Sequence, residues 1–539
     1  MRIYSTGLTL LGAVLTSTAL AQPLYYPHRP DVHIDAPEAM DGDQPGAKPF
    51  LDPNPKSKSG KWADIQATLP FADGPDTALQ LTDGTVAIHD WCTGNWFRLT
   101  PDIKGRYETG TWSALAPMPG GYNPLFFASQ ILPDGRLIMN GGEYNGRPGN
   151  CGKEVWTKLG ALYDPVADSW VPVTAPHGWQ SIGDAQSIVL PDGSYMLAEC
   201  CTEQEVIASI SGTSVKWADT GTGKDDLNDE EGWTSLPGGN ILTVDAWKGE
   251  NNSTSNTEIY STASGTWSAG QNTVSQLVDA GSHEIGPAVL MPNGFVVYFG
   301  ADHSTGANNV FNSSTGEWDS APPFPVIGGA QYDCADAPAA LLPDGNVIVQ
   351  ASPAVFQKPS HFFEFSMNKK GTAKLTQVND PKSAPHLSSF QGRFLELPTG
   401  QVLWENDGQT HHPEVATYTP KGKPKKAWLP VVSNVASTLN IGSTGNAITG
   451  TNFNGFSQGA TYGDDAQMST DYPLVRITNN STGDVCFGRS YNFSTMGVWT
   501  SGSTSAEFDI PTTCESGANT LQVIVNGLAS AGIAVTLQG

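Results

Sequence analysis

Along the chain, short apolar runs alternate with turns built from Pro, Asp, Asn and Gly, and one such arrangement recurs seven times. LTDGTVAI, LPDGRLIM, LPDGSYML, LPGGNILT, MPNGFVVY, LPDGNVIV and LPTGQVLW each read as strand, tight turn, strand. Their glycines, Gly84, Gly135, Gly193, Gly239, Gly294, Gly345 and Gly400, follow one another at intervals of 46 to 58 residues. Asp, Asn or Gly ahead of Gly supplies the positive φ that a hairpin turn needs. Downstream a second marker ends in tryptophan: GTW at Trp112, DSW at Trp170, GTW at Trp267 and GEW at Trp318. Each unit therefore predicts about four antiparallel strands, a sheet that must stack on neighbours to bury both faces. Seven such sheets around an axis make an all-β, seven-bladed β-propeller.

The edges of the pattern predict the organisation. GKWADIQATLPF around Trp62 resembles GTWSALAPMPGG around Trp112, so it reads as an outer strand that completes the last blade. The propeller is expected over 61–429. Beyond Trp428 the repeat stops, and 430–539 carries short alternating strands such as TLQVIVNG, which predict an Ig-like β-sandwich. Residues 22–60 read as an extended arm. Residues 1–21 have the form of a secretory signal: Arg2, an apolar stretch from Leu8 to Leu20, then Ala19-Leu20-Ala21. No later segment reaches 18 consecutive apolar residues, so membrane insertion is not expected. The mature chain is expected to be secreted, soluble and monomeric.

Composition sharpens this picture. Of 539 residues, 59 are Gly and 39 Pro, while charged residues make up 15%, which excludes a coiled coil or helical array. Trp, Tyr and Phe number 15, 15 and 20, enough for packed cores rather than disorder. The net charge of −25 would repel a polyanion, so nucleic acid is excluded as a partner. Secretion favours disulfides among seven cysteines. Cys486 and Cys514 are placed to pair, and an odd thiol must remain. Cys200-Cys201 either forms a vicinal disulfide or bonds elsewhere. Sequons at Asn251, Asn252, Asn312, Asn479, Asn480 and Asn492 fit a glycoprotein.

A Kelch-type propeller followed by an Ig-like domain, with the LPDG hairpins, the GGEYNG loop at 141–146 and NFSTMG at 492–497, resembles the galactose oxidase and glyoxal oxidase family. These copper-radical oxidases hold copper by two tyrosines and two histidines, with one tyrosine crosslinked to a cysteine. The resemblance puts the crosslinking cysteine at Thr77 and its tyrosine at Phe126. It puts the Tyr-His pair at Ala335 and Asp336, and the C-terminal histidine at Met496. Phenylalanine cannot ligate a metal or carry a phenoxyl radical, alanine has no donor, and no Tyr-His dipeptide occurs in the chain. The expectation is a retained fold with the copper-radical site lost.

Residues just before each innermost strand, and loops after the second strands, face one mouth of the channel in such propellers. That position gathers acids: Asp184, then Asp229, Glu230 and Glu231, then Glu284, then Asp333 and Asp336. His283 adjoins Glu284, and Asp302, His303, His411 and His412 lie in neighbouring loops. Asp184, Glu230, Glu231, Glu284, Asp336 and His283 are the candidate catalytic groups. Tyr122, Tyr144, Trp247, Tyr332 and Arg393 are the candidate ligand-binding groups, and Tyr144 falls where the resemblance puts the aromatic that covers the metal. Three readings stand side by side. Converging carboxylates can pair a protonated acid with an ionised base for glycoside hydrolysis or elimination. They can hold calcium, the candidate ion, copper not being expected. Or they can simply solvate a channel mouth. The favoured function is binding or processing of extracellular carbohydrate, or another small polar ligand, without a copper radical. The alternatives are a peroxide-producing copper oxidase of alcohols or aldehydes, and a non-catalytic interaction module.

Overall fold

The computed structural model describes residues 60–539 except 147–150, 153, 248–254, 369–370, 407–411 and 464–466. The signal segment, the arm up to residue 59, His411 and the sequons at Asn251 and Asn252 lie outside the described residues. Among those described there is no α-helix, and no helix long and apolar enough to cross a membrane.

Every recurring turn has the same local chemistry. The seven turn glycines have φ between +79° and +90°. The amides of Gly135 and Gly345 each donate to the carbonyl three residues back, at 2.8 Å in both cases. Where Asp or Asn precedes the glycine its side chain accepts the amide two residues on, as Asp134 does from Arg136 at 3.1 Å and Asp344 from Asn346 at 3.1 Å. This local bond holds the turn within its own few residues.

Six of the units are four-stranded antiparallel sheets in a propeller arrangement. Their inner strands are Pro75–Gln80, Ala128–Ile131, Ser187–Val189, Thr234–Ser235, Ala288–Leu290 and Gly392–Glu396. The first of these lies against the last, so the ring closes on itself. The seventh unit, around Gly345, differs from the expected lone four-stranded blade. Pro338–Leu341, Val347–Pro353, His361–Met367 and Ala373–Gln377 pair in sequence, but inside a seven-stranded sheet. Its extra strands are a short hairpin, Val326–Ile327 with Ala330–Asp333, and Ala460–Tyr462 from the C-terminal region. The inner edge left free by the short strands of the channel wall is what Ala460–Tyr462 covers.

Lys61–Asp64 pairs antiparallel with Val415–Thr419, so chain from before the first unit supplies the outer strand of the last sheet. Trp62 packs its ring on Phe362, Trp404 and Tyr418 and donates its indole N–H to the Asn379 carbonyl at 2.6 Å. Trp170 and Trp217 do the same to Ala116 and Thr174. In these three sheets a fourth-strand tryptophan thus ties the sheet to the segment leaving the one before it, whereas the marker Trp267 donates to the Glu205 carboxylate instead.

Residues after 430 form a curled nine-stranded sheet, with alternating burial along strands such as Thr504–Asp509. It seats on the turn end of the propeller. The ring of Phe487 lies so close under Gly84 that a Cβ there would come within 2.3 Å of it. The Tyr472 hydroxyl donates to the Gln80 carbonyl at 2.5 Å. Disulfides join Cys92 to Cys151, Cys200 to Cys201 and Cys486 to Cys514, leaving Cys334 as a buried free thiol.

Candidate functional site

The mouth lies at the end of the inner strands opposite the glycine turns. Nine residues before their turn glycines stand Phe126, Asp184, Glu230 and Asp336. Three of these are left-handed, with φ of +51° at Phe126, +60° at Glu230 and +46° at Asp336. Such backbone is uncommon for residues with a Cβ, and its repetition around the ring marks one shared bend into the channel.

The three successive acids of the Asp-Glu-Glu motif part company here. Asp229 lies with the Cys200–Cys201 disulfide, Glu230 with Glu284 and Asp336, and Glu231 with Asp226 and Asp245. Within each group the donor atoms lie within 4.8 Å of one another. The mouth trio is therefore Glu230, Glu284 and Asp336, one acid from each of three consecutive units. The loops carrying them are tied together, since the Asp336 amide donates to the Ile285 carbonyl at 3.1 Å. Gly463, just past the Ala460–Tyr462 strand, closes one side. A Cβ there would fall 2.4 Å from Asp336 Oδ1, and one on Gly232 would fall 2.7 Å from the Gly463 carbonyl. Beside Glu284, His283 stacks on Trp247 with centroids 3.8 Å apart, and its Nδ1 donates to the Ala246 carbonyl at 3.1 Å.

Glu231 turns away into the sheet wall. Lys224, fully buried, donates to Glu231 at 3.0 Å and to Glu258 at 2.5 Å, with its ammonium 5.5 Å from the Trp267 ring centre. Burial pushes the carboxyls of Glu231 and Asp226 up, that of Asp245 up to about 7 and that of neighbouring Glu205 up to about 8. Burial opposes the charge on Lys224, but Glu231 and Glu258 outweigh it and hold the ammonium protonated.

A second group occupies the positions where the resemblance expects copper ligands. Phe126 and Tyr462 lie parallel, with centroids 6.5 Å apart and planes 3° from one another. The Arg393 guanidinium lies 3.4 Å from the Tyr462 ring centre and 5.6 Å from that of Phe126. Arg393 donates to the carbonyls of Phe390 and Gly392 and reaches Asp76 at 3.5 Å, while Asp76 also meets His89. Tyr144 adds its ring 6.2 Å from Phe126. Phe126 and Ala335 offer no donor atom, and Thr77 and Ala335 are buried. Met496 lies elsewhere: its amide donates to the Pro191 carbonyl at the turn end of the third unit. Among the described residues, the C-terminal ring that stacks on Phe126 is that of Tyr462.

The structure thus brings Glu230, Glu284 and Asp336 together, with His283 and Trp247 alongside. Asp184 is buried at its own strand but is not part of the trio. Tyr122 is buried with its hydroxyl on the Gly141 carbonyl, and Tyr332 is buried with its ring stacked on His361, so neither presents a free face. Arg393 is committed to its aromatic sandwich. Lys224, Asp226, Asp245 and Tyr462 were not singled out from sequence. The charge run Lys224-Asp225-Asp226 just ahead of Asp229 was the available signal for the first two.

No family model matches the chain. The Kelch-like protein terF of Aspergillus terreus is 31% identical over 101 residues, which span 18% of this chain. The match covers 20% of that relative's own length. Among solved structures, a fungal alcohol oxidase of the AA5 family in complex with copper is 13% identical with a TM-score of 0.49, covering 90% of this chain and 100% of that one. A streptogramin B lyase is 9% identical with a TM-score of 0.43, covering 67% and 98%. The protein YjhT is 13% identical with a TM-score of 0.38, covering 57% and 98%.

Proposed function

We propose that this is a secreted, galactose-oxidase-like protein, a seven-bladed propeller with an Ig-like C-terminal domain, that binds extracellular carbohydrate at the acidic mouth without copper-radical chemistry. The observation that carries the reading is the convergence of Glu230, Glu284 and Asp336 within 4.8 Å. Carboxylates set this way accept paired hydroxyl groups of a sugar, and the half-buried Trp247 indole, one face of which is covered by His283, leaves its remaining surface for a pyranose ring. Like charges this close oppose one another's ionisation, which favours a protonated acid beside an ionised one. That pairing is what glycosidic bond cleavage uses, with carboxyls about 5 Å apart in retaining enzymes. The copper reading is disfavoured by the donor set. Phe126 and Ala335 cannot ligate, and the cation among the neighbouring aromatics is the protein's own Arg393.

The test is a panel of soluble oligosaccharides against the full chain and Glu230→Gln, by calorimetry, with mass spectrometry of the sugars after incubation. Binding by the wild type, weakened at least about tenfold in the variant with an unchanged circular dichroism spectrum, is the expected result, the loss of one charge-assisted bond being worth about 1.5–3 kcal/mol. Shortened sugars would add turnover to binding. No binding across the panel, or equal binding by the variant, would overturn the reading.

A further inference from the structure

Glu230 and Glu231 are adjacent, yet they serve two different carboxylate groups on opposite sides of one strand entrance. The inner group is unlike the mouth in two respects. Its members are shut away, with Glu231 fully buried, Asp245 1% exposed and Asp226 5% exposed. It is also out of charge balance among the described residues: Asp226, Glu231, Asp245 and Glu258 face a single ammonium, that of Lys224, and Glu205 faces the same lysine. Burying that excess without a counter-charge is costly.

The donor inventory shows where a counter-charge is missing. One Glu231 oxygen takes Lys224 and the other takes the Thr243 hydroxyl at 3.1 Å. Glu258 takes Lys224 and the Asp225 amide at 3.0 Å. Asp226 accepts the Trp247 amide at 2.8 Å. The Asp245 side chain meets the Glu258 carboxyl, and its Oδ1 is buried with no hydrogen-bond partner among the described residues. Asp245 is also a member of the group whose oxygens lie within 4.8 Å of one another. Oxygens bound to one calcium at about 2.3–2.6 Å can be no further apart than about 5 Å, so this group is the right size for such an ion.

We propose that Asp226, Glu231 and Asp245 form a buried site for a hard divalent cation, calcium in an extracellular setting, separate from the mouth trio. Hard oxygen ligands with no sulfur or imidazole select calcium or magnesium over soft metals. The ion would neutralise the wall and, through the Glu230–Glu231 peptide and the Asp226–Trp247 bond, fix the loop and indole that border the mouth. The rival explanation is that protons alone neutralise the group.

Terbium, which replaces calcium and emits when excited through a nearby indole, gives the direct readout on the full chain at pH 7.5. Trp247 and Trp267 are the sensitising indoles. The expected result is terbium emission quenched by added calcium, and a calorimetric calcium isotherm. Asp245→Asn should weaken both at least about tenfold, because ligand charge sets calcium affinity. Glu284→Gln at the mouth should leave both unchanged. If Asp245→Asn fails to fold, Asp226→Asn takes its place, and loss of the calcium-dependent rise in wild-type melting temperature on chelation is the second measure. Absence of emission and heat in the wild type up to about 1 mM, the weak end for extracellular calcium modules, would leave protons as the neutralising charge and overturn the site. Loss in Glu284→Gln with retention in Asp245→Asn would move the ion to the mouth and also overturn it. Neither failure touches carbohydrate binding, which is read separately through Glu230→Gln.

Discussion

Replacing Lys224 by methionine removes the only cation of the wall group among the described residues while keeping most of the side-chain volume. The two carboxylates it holds, Glu231 at 3.0 Å and Glu258 at 2.5 Å, are 0% and 2% exposed, so water cannot replace the ammonium. The group can recover neutrality by taking up a proton. For a carboxyl with an ordinary pKa of about 4.3, protonation costs about 3.7 kcal/mol at pH 7 and about 1 kcal/mol at pH 5, at 1.36 kcal/mol per unit. The lost contact with Trp267 adds about 0.5–1 kcal/mol at either pH. Lys224→Met should therefore destabilise the protein by about 4–5 kcal/mol at pH 7 but only by about 2 kcal/mol at pH 5, in line with about 3–5 kcal/mol for breaking a buried pair. Urea unfolding followed by tryptophan fluorescence at both pH values, in the presence of a chelator, measures the difference. Equal destabilisation at the two pH values, or a loss below about 1 kcal/mol at pH 7, would refute the view that Lys224 neutralises this group.

Three further outcomes follow from the same geometry. Trp62→Ala should cost about 3 kcal/mol, the low end for a large aromatic because the indole is half-buried, and should expose the outer edge of the last sheet to proteolysis; denaturant titration with limited proteolysis checks both. Burial raises the carboxyl of Asp333 to about 7 and those of Glu396 and Asp471 to about 8, all above their unfolded values. The native state then holds more protons than the unfolded one between roughly pH 4 and 8, so stability present at pH 5 is lost as pH rises through 7 to 8. Melting temperatures across that range should fall with pH, and a rise would contradict the assignment. Arg393→Met should lower stability by about 3 kcal/mol, since Asp76 loses a buried partner and the aromatic pair its filling; an unchanged unfolding curve would mean that the sandwich carries no energy.

The propeller was legible because its signal is local and repeated. Each turn bends at a glycine, in five of the seven helped by an adjacent Asx side chain that accepts the amide two residues on, and Trp62, Trp170 and Trp217 each reach only to the preceding unit. Trp62 could be assigned to the last sheet for the same reason. The unit around Gly345 was not legible as it stands, since its added strand, Ala460–Tyr462, arrives from more than a hundred residues downstream. The mouth was legible as a list of acids, because strand ends are periodic in sequence. Which acids meet was not. Asp229, Glu230 and Glu231 look like one cluster, yet the left-handed bend at Glu230 sends them to three different neighbours. Tyr122 and Tyr332 look like ligand-stacking aromatics, but their surroundings are decided by tertiary packing. Tyr462 had no mark in its own stretch at all, and NFSTMG drew the alignment to Met496 instead.

Our proposed reading has the chain keep the propeller but not the donors of a copper radical, and work through the acids at its mouth. The most direct measurement is copper stoichiometry by mass spectrometry after copper loading and dialysis. It is combined with the visible absorption spectrum of the oxidised protein and a peroxide assay on alcohols and aldehydes. No tightly held copper, no radical absorption band and no peroxide are expected. One copper per chain with a radical band and alcohol-dependent peroxide would contradict that reading and return the protein to the oxidases it resembles.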